Sequence, residues 1–184
     1  MKTWFTSDTH FGHGNIIEYC KRPFKSVERM NEVLIKNWNS RVKLHDLVIH
    51  LGDFAFRDKQ RAEEYLSMLN GHITILRGNH DNNNSVNTRI IDCVVEIGIG
   101  NRVYCTHNPV NYSDQFRINL VGHVHNTWKV VKIGFSYLIN VGVDVWNFVP
   151  IDFNEIFKRY TKYKNRKDIE KEIEELIGKK NGKQ

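Results

Sequence analysis

Five short apolar runs, each breaking off at a residue able to bind a metal or move a proton, constrain this chain more than any other feature. Lys2 to Ser7 ends at Asp8, and Leu47 to Leu51 leads into Gly52-Asp53. Ile73 to Arg77 leads into Gly78-Asn79-His80-Asp81, Arg102 to Thr106 into His107, and Ile118 to Val121 into Gly122-His123-Val124-His125. The runs are of strand length and rich in β-branched and aromatic residues, which predicts strands. Ligands bind at the carboxyl ends of strands in largely parallel sheets, where the loops converge. The five endings therefore predict one shared site at a sheet edge.

Helical patterns lie between the runs. From Ser26, the residues Val27, Met30, Val33, Leu34 and Trp38 recur at helical spacing, and a second helix carries Ala62, Tyr65, Leu66 and Leu69, with Asp58 as its cap and Gly71 as its end. Strand–helix alternation predicts an α/β protein in the first half. After residue 125 the pattern becomes a strand meander over Trp128–Lys132 and Phe135–Val141, punctuated by Gly134 and Gly142. Ile156, Phe157, Tyr160 and Tyr163, then Ile169, Ile173, Leu176 and Ile177, fit helical stripes whose apolar residues face the body while the charges face water. From residue 151 onward ten Lys or Arg stand against seven Asp or Glu, so half of the net charge of +6 lies there.

Several classes are excluded. With 184 residues the chain is expected to form one compact domain. No apolar run approaches the roughly 18 to 20 residues that span a bilayer, so no membrane partner is expected. The opening residues turn polar too soon for a secretory signal. Cys20, Cys93 and Cys105 are odd in number and lack C-x-x-C spacing, which argues against a disulfide framework and a cysteine zinc knuckle. The expectation is a reduced, cytoplasmic protein.

The strand ends assemble four imidazoles, two carboxylates and an amide: Asp8, His10, Asp53, Asn79, His107, His123 and His125. Calcium and magnesium prefer sites built mainly from oxygen, whereas mixed nitrogen and oxygen without thiolate favours manganese, iron, zinc, nickel or cobalt. Seven ligands are too many for one tetrahedral zinc and suit two ions sharing a bridging carboxylate, an arrangement used for in-line displacement at phosphorus.

The order Asp8-x-His10, Gly52-Asp53, Gly78-Asn79-His80-Asp81, His107 and Gly122-His123-x-His125 resembles the five-part signature of the calcineurin-like metallophosphoesterases. The opening Ser7-Asp8-Thr9-His10-Phe11-Gly12-His13 is similar to that of the short bacterial and phage members. The resemblance implies an α/β fold of two mixed β-sheets packed face to face with flanking helices, a four-layer αββα sandwich. Residues 1–153 would form the metallophosphoesterase domain and 154–184 a C-terminal helical basic tail of that domain. It also implies two divalent ions, manganese first with iron, nickel, zinc or cobalt as alternatives. Asp8, His10, Asp53 and His125 would hold one, and Asp53, Asn79, His107 and His123 the other, with Asp53 bridging. His80 matches the histidine that protonates the leaving oxygen, and Asp81 is expected to orient it.

Two divalent ions outweigh Asp8, Asp53 and one hydroxide, leaving the site at about +1 and ready for an anion. The expected reaction is direct attack of a metal-bridging hydroxide on a phosphoester, with no serine or cysteine nucleophile. A phosphodiester of nucleotide-like or cyclic-nucleotide type is preferred, because the stretch from His107 to His123 leaves no room for a cap. Phosphomonoesterase, pyrophosphatase or polynucleotide nuclease activity on the same centre are the alternatives, and a non-catalytic scaffold ranks last. Candidate substrate contacts are His13, Asn15 and Arg57; a loop or helix-capping role competes for the first two and a surface ion pair for the third. Arg22 and Phe24 share that ambiguity. His45, His50 and His72 fit no motif and read as structural.

Overall fold

The computed structural model describes residues 1–56, 59–81, 89–98 and 100–164. Three of the expected runs become β1 (Thr3–Thr6), β2 (Leu47–His50) and β3 (His72–Ile75). They pair in parallel in the order β3-β2-β1, and the short β9 (Ile151–Asp152) adds antiparallel to β1. Parallel neighbours need crossovers. Here these are α1 (Ile16–Tyr19) and α2 (Val27–Arg41) between β1 and β2, and α3 (Lys59–Ser67) between β2 and β3. Ser26 caps α2, its hydroxyl accepting from the Arg29 N–H at 3.3 Å. α3 ends at Ser67, short of Gly71, which instead turns the chain into β3 at φ 100°. The proposed cap Asp58 lies outside the described residues.

The second sheet has the order β4-β5-β6-β8-β7, from β4 (Asp92–Ile97), β5 (Asn101–Thr106), β6 (Ile118–Val121), β7 (Val130–Ile133) and β8 (Ser136–Asn140). β5, β6 and β8 run parallel, and the edge strands β4 and β7 are antiparallel to their neighbours. The expected meander is the β7–β8 hairpin, turned at Gly134. β4 has no counterpart in the sequence reading, because its exposed positions Asp92 and Glu96 interrupt the apolar run that marks the other strands.

Both sheets are mixed, and they pack face to face with helices flanking them. Alternation along β1 explains how: Trp4 enters the core beneath the helices with Met30, Leu34 and Trp38, while Phe5 enters the core between the sheets with Val103, Leu120 and Ile139. α4 (Phe153–Lys164) buries Ile156 and Tyr160 and packs on β1 and β9 of one sheet and β7 and β8 of the other. Phe157 departs from the predicted stripe and is 45% exposed, since it sits about 100° around the helix from Ile156. The second stripe, Ile169 to Ile177, lies outside the described residues. Among the described residues no helix is long and apolar enough to cross a membrane.

Loops leaving the strands are stitched together at one edge. The Asp8 and His10 amides donate to the carbonyls of Gly52 and Asp53, each at 3.0 Å, and the Gly122 amide donates to the His107 carbonyl at 3.0 Å. The Val143 amide donates to the Ser7 carbonyl at 3.1 Å, tying the segment after β8 to the same edge.

Candidate metal centre

Five of the seven predicted ligands have left-handed backbones: Asp8 (φ 58°), His10 (51°), Asp53 (55°), His123 (71°) and His125 (46°). This conformation costs a residue with a Cβ about 1 kcal/mol or more. All five lie within four residues of the carboxyl end of β1, β2 or β6. Crowding at that edge explains two glycines. A Cβ on Gly122 would stand 2.1 Å from Ser7 Oγ and 2.7 Å from Asp8 Oδ2, and one on Gly78 would stand 2.1 Å from Asp53 Oδ1.

Asp53 occupies the middle of the cluster. Its Oδ1 accepts from the His80 amide at 2.9 Å, and its Oδ2 lies 3.6 Å from His10 Nε2 and 3.5 Å from His107 Nε2. Asp8 accepts the His123 amide at 3.0 and 3.1 Å. Donor atoms of Asp8, His10 and His125 form one group within 4.8 Å of one another, and those of Asp8, Asp53 and His107 form a second. Asn79 Oδ1 extends the second group, 2.9 Å from His107 Nε2 and 2.8 Å from His123 Nδ1. Asp8, His10, Asp53 and His107 are buried, whereas Asn79 and His80 are exposed and His123 and His125 half-buried.

The residues fit a metal centre on two grounds. His10 Nε2 is fully buried, has no hydrogen-bond partner among the described residues and is directed at Asp53, as an atom reserved for a cation would be. The donor set is imidazole, carboxylate and amide, suited to first-row transition ions. A third group, Cys20, His125 and Asp144, also lies within 4.8 Å, but the Arg22 guanidinium spans both Asp144 oxygens at 2.7 and 3.0 Å. A cation there would face that positive charge at contact distance, so this group is not a metal site.

Electrostatics support the assignment. Burial lifts the Asp8 carboxyl above its usual range despite the opposing charges of His107 and His125. Burial acts the same way on Asp53, but the hydrogen bond and charge of His107 and the charge of His10 win and leave it an anion well below the usual carboxylate range. Burial drives His10 well below the usual imidazole range. For His107 burial is outweighed by the Asp53 hydrogen bond and the charges of Asp8 and Asp53, which hold it up at about 9. His125 is likewise held up at about 10, against burial, chiefly by its hydrogen bond to Asp144. A bound cation must displace these protons, so binding to the apo centre releases protons.

The remaining predicted site residues fall in different places. His80 is exposed at the rim, its ring centroid 5.5 Å from that of His10. Asp81 is buried and accepts the backbone N–H groups of Asp53 (2.7 Å), Gly78 (2.8 Å) and Phe54 (3.2 Å). These bonds knit the Asp53 and Asn79 loops together. His13 is buried with its ring flat on Phe56 at 4.0 Å and its Nδ1 3.4 Å from His10 Nδ1, so it backs a ligand. Asn15 is exposed before α1 and makes no capping bond with its side chain. Arg57 lies outside the described residues. Arg22 is buried on Asp144 and on ligand-loop carbonyls, not poised at the rim for phosphate. Asp144 was not visible to sequence reasoning, since nothing in Gly142-Val143-Asp144-Val145 marks it. His50, read as structural, is fully buried, with Nδ1 accepting from the Gly52 N–H at 3.2 Å and Nε2 3.0 Å from the Thr9 hydroxyl.

Two face-to-face mixed sheets with a histidine–carboxylate centre at their shared edge define the metallophosphoesterase class of α/β proteins. A model of the calcineurin-like phosphoesterases matches residues 1–178, and the chain belongs to that family. It is 37% identical over 173 residues to the uncharacterised protein MJ1445 of Methanocaldococcus jannaschii, covering 89% of this chain and 93% of that one. It is 34% identical over 88 residues to the Gene 66 protein of Mycobacterium phage L5, covering 46% of this chain and 42% of the phage protein. Among solved structures, the protein of unknown function AQ665 from Aquifex aeolicus superposes with a TM-score of 0.66 at 25% identity, covering 85% of this chain and 98% of that chain.

Proposed function

We propose that this protein hydrolyses a phosphodiester, nucleotide-like or cyclic-nucleotide in class, at a centre for two divalent ions with manganese the expected metal. The observation that carries the reading is the position of Asp53, whose Oδ2 stands 3.6 Å from His10 Nε2 on one side and 3.5 Å from His107 Nε2 on the other. On this reading Asp8, His10, Asp53 and His125 hold one ion, and Asp53, Asn79, His107 and His123 the other. When bound, the pair supplies a hydroxide nucleophile at neutral pH and countercharge for the phosphoryl oxygens. His80, exposed at the rim, donates a proton to the leaving alkoxide oxygen, which is otherwise a poor leaving group. Asp81 keeps the two loops that carry Asp53 and His80 in register.

Diester preference draws on the exposure of Asn79 and His80 and on the brevity of the His107–His123 connection, a single 3₁₀ turn at Pro109–Asn111 before β6. Such a rim admits a substrate with substituents on both sides of phosphorus. The test is a comparison of bis-p-nitrophenyl phosphate, p-nitrophenyl phosphate, cyclic nucleotides and single-stranded DNA with the manganese-loaded protein. The diesters should turn over fastest. Faster hydrolysis of the monoester would replace the diester reading, and dominant cleavage of DNA would mark a polynucleotide nuclease. Failure on all four would favour a non-catalytic scaffold.

A further inference from the structure

We propose that Arg22 and Asp144 form a buried positioning pair that makes the Asp8–His10–His125 half of the centre the tighter of its two cation sites. The proposal rests on the reading of the seven side chains as metal ligands.

The pair joins α1's exit to the turn after β8, and its side chains are 0% and 2% exposed. Arg22 meets Asp144 with two parallel bonds, Nε to Oδ1 at 2.7 Å and Nη2 to Oδ2 at 3.0 Å. Two further bonds go to the ligand loop, Nη2 to the Asp8 carbonyl at 2.7 Å and Nη1 to the Thr9 carbonyl at 3.0 Å, and Nη1 also donates to Met30 Sδ at 3.4 Å. Asp144 Oδ2 in turn lies 2.9 Å from His125 Nδ1. One ion pair thus grips the backbone of the Asp8–His10 segment and the ring of His125, three ligands drawn from two distant loops.

The chemistry gives the pair a direction. An ionised Asp144 accepts a hydrogen bond from the His125 Nδ1–H, which keeps that nitrogen protonated and leaves Nε2 as the ligating atom. Arg22 neutralises Asp144 and prevents that carboxylate from becoming a competing cation ligand beside Cys20. The Arg22 bonds to the Asp8 and Thr9 carbonyls hold a loop whose two ligands have left-handed backbones, a conformation that persists only when its surroundings fix it. A buried ion pair is weak evidence of stability, because desolvation offsets its attraction and apolar residues would fill the space as well. Its bonds to two ligand segments are what packing alone does not require.

The other half has neutral backing. His107 Nδ1 faces the Leu51 carbonyl at 2.7 Å, and His123 Nδ1 faces Asn79, itself assigned to that ion, rather than an outer carboxylate. Loss of an outer partner of a ligating histidine costs about 10- to 100-fold in metal affinity, and an ionised carboxylate is a stronger acceptor than a neutral carbonyl. The inequality between the two halves follows.

The test is calorimetric titration of the apo protein with manganese chloride alone. Wild type should bind two ions in unequal classes, and His123→Ala should lose the weaker class and keep the tighter. In the His123→Ala background, Asp144→Asn should weaken the remaining site by about 10- to 100-fold. Arg22→Lys, which keeps the charge but not the two-pronged bond, should fall between, and it carries the test if Asp144→Asn does not fold. Thermal melts of the apo forms identify folded variants, and the selectivity for one half separates positioning from general stabilisation. Equal classes in wild type, or an Asp144→Asn single variant that weakens both classes alike or neither, would overturn the pair's role while leaving a two-ion centre. Binding of no manganese by wild type would overturn the ligand reading as well.

Discussion

The floor and the rim of the candidate metal centre are built on different principles. Asp8, His10, Asp53 and His107 are almost wholly buried, on left-handed or tightly bonded backbone, with charges that interact at short range. Asn79 and His80 stand exposed on one loop, and His123 is half-buried. A floor of this kind suits charge that must be held in place, because interactions strengthen away from water. A rim suits groups that must meet a substrate and exchange protons with solvent. The difference teaches that damage to the floor should be lost metal, whereas damage to the rim should be lost rate with metal retained.

The sharpest break in that comparison comes from Asp53→Asn. It removes the shared anion between His10 and His107 and should reduce both bound metal and the rate by more than about 100-fold, since even an outer partner of a ligand is worth about 10- to 100-fold. Metal analysis and steady-state kinetics check this, and a variant with full metal and full rate would remove Asp53 from the bridging role. Next in size is His80→Ala at the rim. Bound metal should stay within about twofold while turnover of alkyl diesters falls about 100-fold, within the range for a lost general acid. A p-nitrophenyl leaving group needs little protonation and should be slowed far less. Equal slowing of both would take His80 out of the acid role.

The smallest effect concerns His50 beneath the floor. Burial lowers it to about 3, against the pull of Asp53, so the folded apo protein keeps it neutral. Between pH 6.5 and 3 the unfolded chain binds a proton that the folded chain does not. Its contribution is therefore intact above that window and falls with acidification by at most about 1.4 kcal/mol per pH unit. Urea unfolding of the apo protein at pH 7 and pH 5 should show a shallower pH dependence for His50→Gln than for wild type. Identical slopes would mean that His50 takes up a proton without unfolding.

Much of the candidate centre was legible because every residue assigned to it stands within four positions of the end of a strand-forming run. Reading where Phe5, Ile49 or Leu120 stop is enough to find Asp8, Asp53 and His123. The left-handed turns were not legible, because Asp, His and their neighbours carry no mark of a conformation that tertiary contacts impose. For a related reason, adjacency to His80 suggested a side-chain partner for Asp81, but nothing in the sequence showed that its carboxylate accepts three backbone amides. Arg22 and Asp144 are separated by most of the fold, and neither belongs to an apolar run or a motif. The charged outer face of β4 hid that strand in the same way.

The account stands or falls on whether catalysis needs both ions. Metal-free protein should be loaded stepwise with manganese, with bound metal per chain and the rate on bis-p-nitrophenyl phosphate measured at each step. The account predicts negligible rate until the second ion binds, abolition by a chelator and recovery on adding manganese back. Full rate at one ion per chain, or a rate untouched by the chelator, would contradict it.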